Sequence, residues 1–203
     1  MLAAWAGATG VPLDTLTDPA QRAKSGTPDW FMSYRQAEAE ATTLRFWGPL
    51  LVPGLLQTEG YARAHEQSAE VVTARLGRQQ VIGRARVTAV IDHTVPLRCV
   101  GGSPQIMADQ CAHLSALAES QVIRLHVVPE GANVGLGGAF GIASKNSTST
   151  VSLTTAIRDM TSTAADVIDD TLNLFDVILG ASLPAVASLE FLRTQEETWK
   201  AQI

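Results

Sequence analysis

Cysteine is scarce: two residues, Cys99 and Cys111, in a chain of 203. That is too few for a disulfide-built fold. In a reducing compartment the pair reads as two small buried hydrophobes, with a single disulfide as the alternative. Basic charge is short as well, with 15 Lys and Arg against 20 Asp and Glu, a net charge of −5 and a pI near 5.3. A chain whose main task is neutralising phosphates carries the opposite sign, so no direct nucleic-acid binding is expected. No apolar run reaches the length that spans a bilayer, and no charged-apolar-small leader opens the chain. A cytoplasmic protein without a membrane partner is the expectation.

Ligating and nucleophilic patterns are missing too. His93, Cys99, Cys111 and His113 fit no C-x-x-C or H-x-x-x-H spacing, and Cys111 and His113, two apart on a helix, face different ways. No metal and no cofactor is expected. The chain has no G-x-S-x-G elbow and no S-x-x-K pair in a supporting setting. The glycine run Gly135, Gly137, Gly138, Gly141 lies between two strands, whereas a phosphate-cradling loop must open a helix. It reads as a loop over a pocket mouth.

What is present is a hydrophobic fraction of 46%, enough for one sizeable core in a chain of this length. The organising stretch is Leu44 to Arg63, LRFWGPLLVPGLLQTEGYAR. Pro53 restricts Val52 to extended geometry and Gly54 opens backbone angles closed to other residues, so a tight reversal is expected there. Leu50, Leu51, Val52, Leu55 and Leu56 flank it, which predicts a turn packed into the core. Its peptide groups then need partners. Gln57 and Thr58 can supply some, with Thr58 capping the helix that carries Tyr61 and Arg63.

Along the chain, residues 1 to 29 read as a short helical segment followed by a Thr-, Pro- and Ser-containing connection, and residues 30 to 203 as one domain. Phe31, Tyr34, Ala37, Ala41, Leu44 and Trp47 recur at helical spacing, which predicts one helix from Trp30 to Trp47. A helix from about Ser68 to Arg84 follows, with Arg75, Arg78 and Arg84, then Arg86, on an outward basic face. Val87, Ala89 and Ile91 alternate, as do Ile123, Leu125 and Val127, giving two strands. Between them Ser103 and Pro104 start a helix. Two hairpin strands are expected at Ala139 to Ala143 and Thr150 to Ile157, then helices from Thr161 to Gly180 and Pro184 to Lys200. The fold class is α+β, with a small central sheet of about four strands packed between N- and C-terminal helices.

The run Glu38, Ala41, Leu44-Arg45, Pro49, Val52-Pro53-Gly54-Leu55-Leu56-Gln57-Thr58 and Tyr61-Ala62-Arg63 resembles the effector domain of actinobacterial antitoxin-like transcriptional regulators. In that family the domain follows an XRE-type helix-turn-helix. Arg75-Leu76, Arg78-Gln79, Leu97-Arg98, Gly101-Gly102, His113-Leu114, Val127-Val128-Pro129 and Phe140 continue the match in order. The resemblance covers roughly residues 30 to 200, and PGLLQT is its most specific piece. It implies a regulatory, ligand-binding domain without its DNA-binding head, which binds a small molecule or a small partner protein; a purely structural dimerisation module, a homodimer, is a separate reading.

On that basis Trp47, Gln57, Tyr61, Arg98, Gly137 and Phe140 are the candidate ligand-binding residues. His93 stands where the resembled family leads one to expect an acid, and Ser152 to Thr155 where an aromatic and an acid are expected. Either these are changes at a surface rim or they rework the chemistry of a pocket. In the second case the chain would be a stand-alone enzyme of natural-product biosynthesis, with His93 as acid and base and Asp92 beside it.

Overall fold

Alternation of apolar residues on both faces is the local signal that builds the centre of this protein. In the computed structural model, which describes residues 29–203 except 67, 133, 135–136 and 155–158, Val87, Ala89, Val90 and Ile91 are all buried in one strand. A strand buried on both sides belongs in the middle of a sheet. The sheet has six strands: β1 (Thr43–Gly48), β2 (Arg86–Asp92), β3 (Ile123–Val128), β4 (Phe140–Lys145), β5 (Thr148–Thr154) and β6 (Asp159–Ser162). Their order is β3-β2-β1-β4-β5-β6. β1, β2 and β3 run parallel, while β4, β5 and β6 follow as antiparallel neighbours.

Six α-helices are present among the described residues: α1 (Asp29–Glu40), α2 (Glu59–His65), α3 (Ala69–Arg78), α4 (Pro104–Glu119), α5 (Ala165–Gly180) and α6 (Ala185–Lys200). The β1–β2 crossover carries α2 and α3, and the β2–β3 crossover carries α4. Leu44, Ala89, Ile91, Leu125 and Val127 on one sheet face pack with Leu56, Tyr61, Met107, Leu114 and Leu192. On the opposite face Trp47, Val90, Val128, Phe140, Ile142 and Val151 meet Phe175 and Ile178 of α5. Among the described residues that second cover reaches only part of the sheet.

The α+β class holds, and the sheet has two strands more than the periodicity indicates. β1 occupies residues expected in a helix. Leu44 and Trp47 are both buried, at a spacing that suits a helix, but they point to opposite faces of a strand. β6 lies where a helix was expected to begin. The caps follow the sequence closely: Thr58 Oγ1 accepts from Tyr61 N at 3.2 Å, and Ser103 precedes Pro104 at the start of α4. α3 ends at Arg78 and gives way to a 3-10 turn, Gln79–Val81, short of the expected Arg84. The segment before residue 29, the side chains of Trp30 and Phe31, and the end of the strand expected to reach Ile157 lie outside the described residues.

Val52, Leu55 and Leu56 are buried as expected, whereas Leu50 and Leu51 are exposed. Gly54 begins a 3-10 turn, Gly54–Leu56, and is not in the left-handed region. A Cβ on it would meet Arg75 Cδ at 3.6 Å, an ordinary contact. The demanding glycine is Gly48, which ends β1: a Cβ there would lie 2.6 Å from the Leu51 carbonyl oxygen and 3.1 Å from Pro53 Cδ. Because the obstacle is backbone, it cannot swing aside. Gly48→Ala is therefore expected to cost about 1 to 3 kcal/mol, while Gly54→Ala stays within about 0.5 kcal/mol. Thermal melting of the two variants ranks them. A greater loss at Gly54 than at Gly48 would contradict the backbone geometry.

Candidate functional site

The buried turn needs partners for its peptide groups, and three glutamines provide them. Gln57 Nε2 donates to Val52 O at 2.7 Å, and Gln79 Nε2 donates to Gln57 O at 2.7 Å. Gln110, fully buried on α4, accepts from Thr58 N and donates to Leu56 O, both at 2.8 Å. Tyr61 completes the set, its hydroxyl accepting from Val52 N at 3.2 Å. Burial raises the Tyr61 pKa, opposed by its hydrogen bond to Val52 and by the nearby charge of Arg98. Gln57 and Tyr61, candidate ligand contacts on sequence grounds, thus commit the Gln57 amide nitrogen and the Tyr61 hydroxyl to the turn.

Arg75 and Arg78, expected on a solvated face, point inward. Arg75 Nη1 donates to Gln57 Oε1 at 2.7 Å, and its Nη2 lies 3.6 Å from Glu66 Oε2. Arg78 Nη1 binds Glu38 Oε1 at 3.0 Å. Glu38 is almost fully buried; burial raises its pKa and Arg78 opposes the shift. His65, with Nε2 3.2 Å from Gln57 Oε1, has its pKa lowered by burial and by Arg75. This network ties α1, the turn and α3 together.

The other predicted site residues fall into separate places. Trp47 and Phe140 are register partners across β1 and β4, buried in the core under α5, with the Phe140 ring 6.4 Å from Phe175. Gly137 and Arg98 are exposed on different segments. Asp92 and His93 end β2, where parallel strands often place chemistry. Asp92 Oδ1 is taken by Thr94, accepting from its N at 2.9 Å and its Oγ1 at 2.5 Å. His93 Nδ1 lies 3.4 Å from that same oxygen, is buried, and makes no hydrogen bond. Cys111 is buried, and burial pushes its thiol up to about 12, so it stays protonated and unreactive. Cys99 is exposed and both are free thiols, which corrects the expectation of two buried cysteines and leaves no disulfide between them. Among the described residues no cluster of His, Cys, Asp or Glu can hold a metal ion, and no single helix is long and apolar enough to cross a membrane.

One concave surface was not foreseen from the sequence. On the face that α5 covers only in part, over the N-terminal halves of β1 to β3, a groove of about 720 Å³ is lined by Thr43, Arg45, Arg84, Arg86, Thr88 and Arg124, among others. Register explains the gathering: Arg45, Thr88 and Arg124 sit side by side across three parallel strands, and Thr43 pairs with Arg86. Partners in register, and residues two apart on a strand, share a face. Among the described residues, none of these four arginines has a carboxylate within ion-pair distance. A smaller depression of about 260 Å³ beside α1 differs, since its Lys145 already pairs with Glu40 at 3.0 Å.

If the glutamines satisfy the turn as described, Gln110→Leu removes both partners of Thr58 N and Leu56 O while keeping the side chain's bulk. It is expected to destabilise the fold by about 2 to 4 kcal/mol. Chemical denaturation reads this directly, and an unchanged midpoint would mean that the turn's peptide groups find other partners.

No curated protein matches the chain significantly. A family model does, over residues 31–194, from α1 into α6. Since that match spans well over half of the sequence, the chain belongs to the family described as Domain of unknown function (DUF5753).

Proposed function

We propose that this chain is a binding domain of the regulatory, effector type rather than an enzyme. It would hold a small molecule or a small partner protein, as the PGLLQT resemblance to helix-turn-helix regulators implies. The observation that carries the reading is the groove over β1 to β3, which four arginines line and where, among the described residues, none of them has a carboxylate partner. Concentrated charge of one sign on a chain with net charge −5 raises local anion concentration, which serves recognition. No general base, nucleophile or metal ligand accompanies the arginines in the lining of that groove. The net charge still argues against nucleic acid as the occupant.

A second reading draws on one observation, the buried Nδ1 of His93 without a hydrogen bond at the end of β2. On that reading the chain is a stand-alone enzyme of natural-product biosynthesis, with His93 moving a proton and Asp92 beside it. His93→Gln separates the two. In a binding domain whose ligand sits in the groove, His93 lies beyond the opposite end of β2 and outside the lining, so the substitution leaves affinity within about 0.5 kcal/mol of wild type. In an enzyme it lowers turnover by about a hundredfold or more while binding survives, because glutamine cannot titrate. The assay incubates wild type and variant with intermediates of any pathway encoded beside the gene and follows them by mass spectrometry. Unchanged intermediates that bind both proteins support the binding reading. Product from wild type alone would overturn it.

A further inference from the structure

The groove's geometry narrows the class of ligand, and the inference rests on the binding reading just given. Along β2, Arg86 lies two residues before Thr88, which sits between Arg45 and Arg124 in the next row. With strands ~4.8 Å apart and a rise of ~3.3 Å per residue, the Cα atoms of Arg45, Arg86 and Arg124 form a triangle with sides of about 8 to 10 Å. Thr88 stands at the middle of one side. All three arginines share one sheet face, so their long side chains can meet above that threonine. Arg86 and Arg124 are exposed and Arg45 is half-buried. Arg84, whose Nε donates to Gln80 O at 3.0 Å, lines the same groove from the turn before β2.

We propose that this groove is a binding site for a soluble small molecule carrying a phosphate ester or diphosphate, held by Arg45, Arg86 and Arg124 with the Thr88 hydroxyl. Three guanidinium forks turned toward that threonine would present about six N–H groups, whereas a lone carboxylate has only about four acceptor positions. A diphosphate offers more oxygens, and its tetrahedral ends match bidentate forks. An acidic peptide fits less well. Carboxylates on one face of an extended segment repeat in a line, about 7 Å apart, and not in a triangle. Single-stranded nucleic acid is disfavoured by the lining, which has no aromatic ring to stack a base. The groove is mainly charged and hydroxylated at this end, so it recognises the anionic group more than the rest of the molecule.

The test is calorimetric titration of the purified chain with pyrophosphate, using Arg86→Ala, Arg124→Ala and Arg124→Lys. Arg63→Ala serves as the control, since Arg63 pairs with Glu59 at 2.7 Å on α2. Pyrophosphate is expected to bind with one-to-one stoichiometry. Each alanine substitution in the groove should weaken binding by about tenfold or more, with an unchanged melting midpoint because those positions are exposed. Arg124→Lys should also weaken it, since lysine keeps the charge but loses the fork. Arg63→Ala should leave it unchanged. Equal affinity in Arg124→Lys and wild type, or equal weakening by Arg63→Ala, would mean diffuse charge attraction and would overturn the proposal. Poly-glutamate binding that is lost in Arg86→Ala, with no binding of pyrophosphate, would overturn the phosphate assignment and leave the binding reading standing. Binding of neither anion would remove both.

Discussion

A buried chain reversal cannot exist without partners for its peptide groups, and that constraint governs the parallel half of this protein. The chain leaves β1 at Gly48, passes Pro53 and Gly54, and enters α2 at Glu59. Val52, Leu55 and Leu56 bury their side chains, which takes the neighbouring carbonyls and amides out of water. Side chains from three elements answer them: Gln57 within the segment, Gln79 after α3, and Gln110 on α4. Each such bond is modest in net terms, but leaving a buried donor or acceptor unpaired is costly. The result is that α2, α3 and α4 are held in one arrangement over the β1–β2–β3 face. Arg75 and Arg78 extend the network to Glu66 and Glu38, so α1 is drawn into it.

That arrangement has a consequence on the opposite face. The crossovers place α2, α3 and α4 on one side, and α5 covers the other side only where Trp47, Val90 and Val128 supply apolar contacts. Toward the N-terminal ends of the same strands the residues facing outward are Arg45, Arg86, Thr88 and Arg124. The turn's peptide groups at Val52, Leu56, Gln57 and Thr58 are paired, whereas among the described residues the groove arginines have no carboxylate partner. The proposal of recognition rests on that contrast between satisfied buried groups and surface charge without a counter-ion.

Much of this was legible in the sequence, and the failures have identifiable causes. Ser103-Pro104 and Thr58 marked helix starts because caps are local chemistry. β2 and β3 showed their alternation openly. β1 was hidden because Ala41, Leu44 and Trp47 fall at helical spacing while Leu44 and Phe46 also fit a strand, and short apolar runs do not decide between the two. Gly54 drew attention as half of a Pro-Gly pair, yet the close backbone approach belongs to Gly48, which has no such signature. Arg75 and Arg78 looked solvated since their partners Gln57, Glu66 and Glu38 lie on other elements. The groove was invisible for the same reason: Arg45, Arg86 and Arg124 are far apart in the chain, and only strand register brings them together. Trp47, Gln57, Tyr61 and Phe140 were identified as special, and the structure places them in the core and the turn network.

The most direct measurement of the central claim is residue-resolved hydrogen exchange of the free protein across Leu50 to Glu59. The amides of Val52, Leu56 and Thr58 are bonded to Tyr61 Oη, Pro53 O and Gln110 Oε1 respectively. They should exchange as slowly as the central strands β1 and β2, opening only with the fold, while the amides of exposed Leu50 and Leu51 exchange much faster. Exchange of Val52 and Thr58 at the rate of Leu50 would show a turn that opens locally, and would contradict a fold held by its buried glutamines.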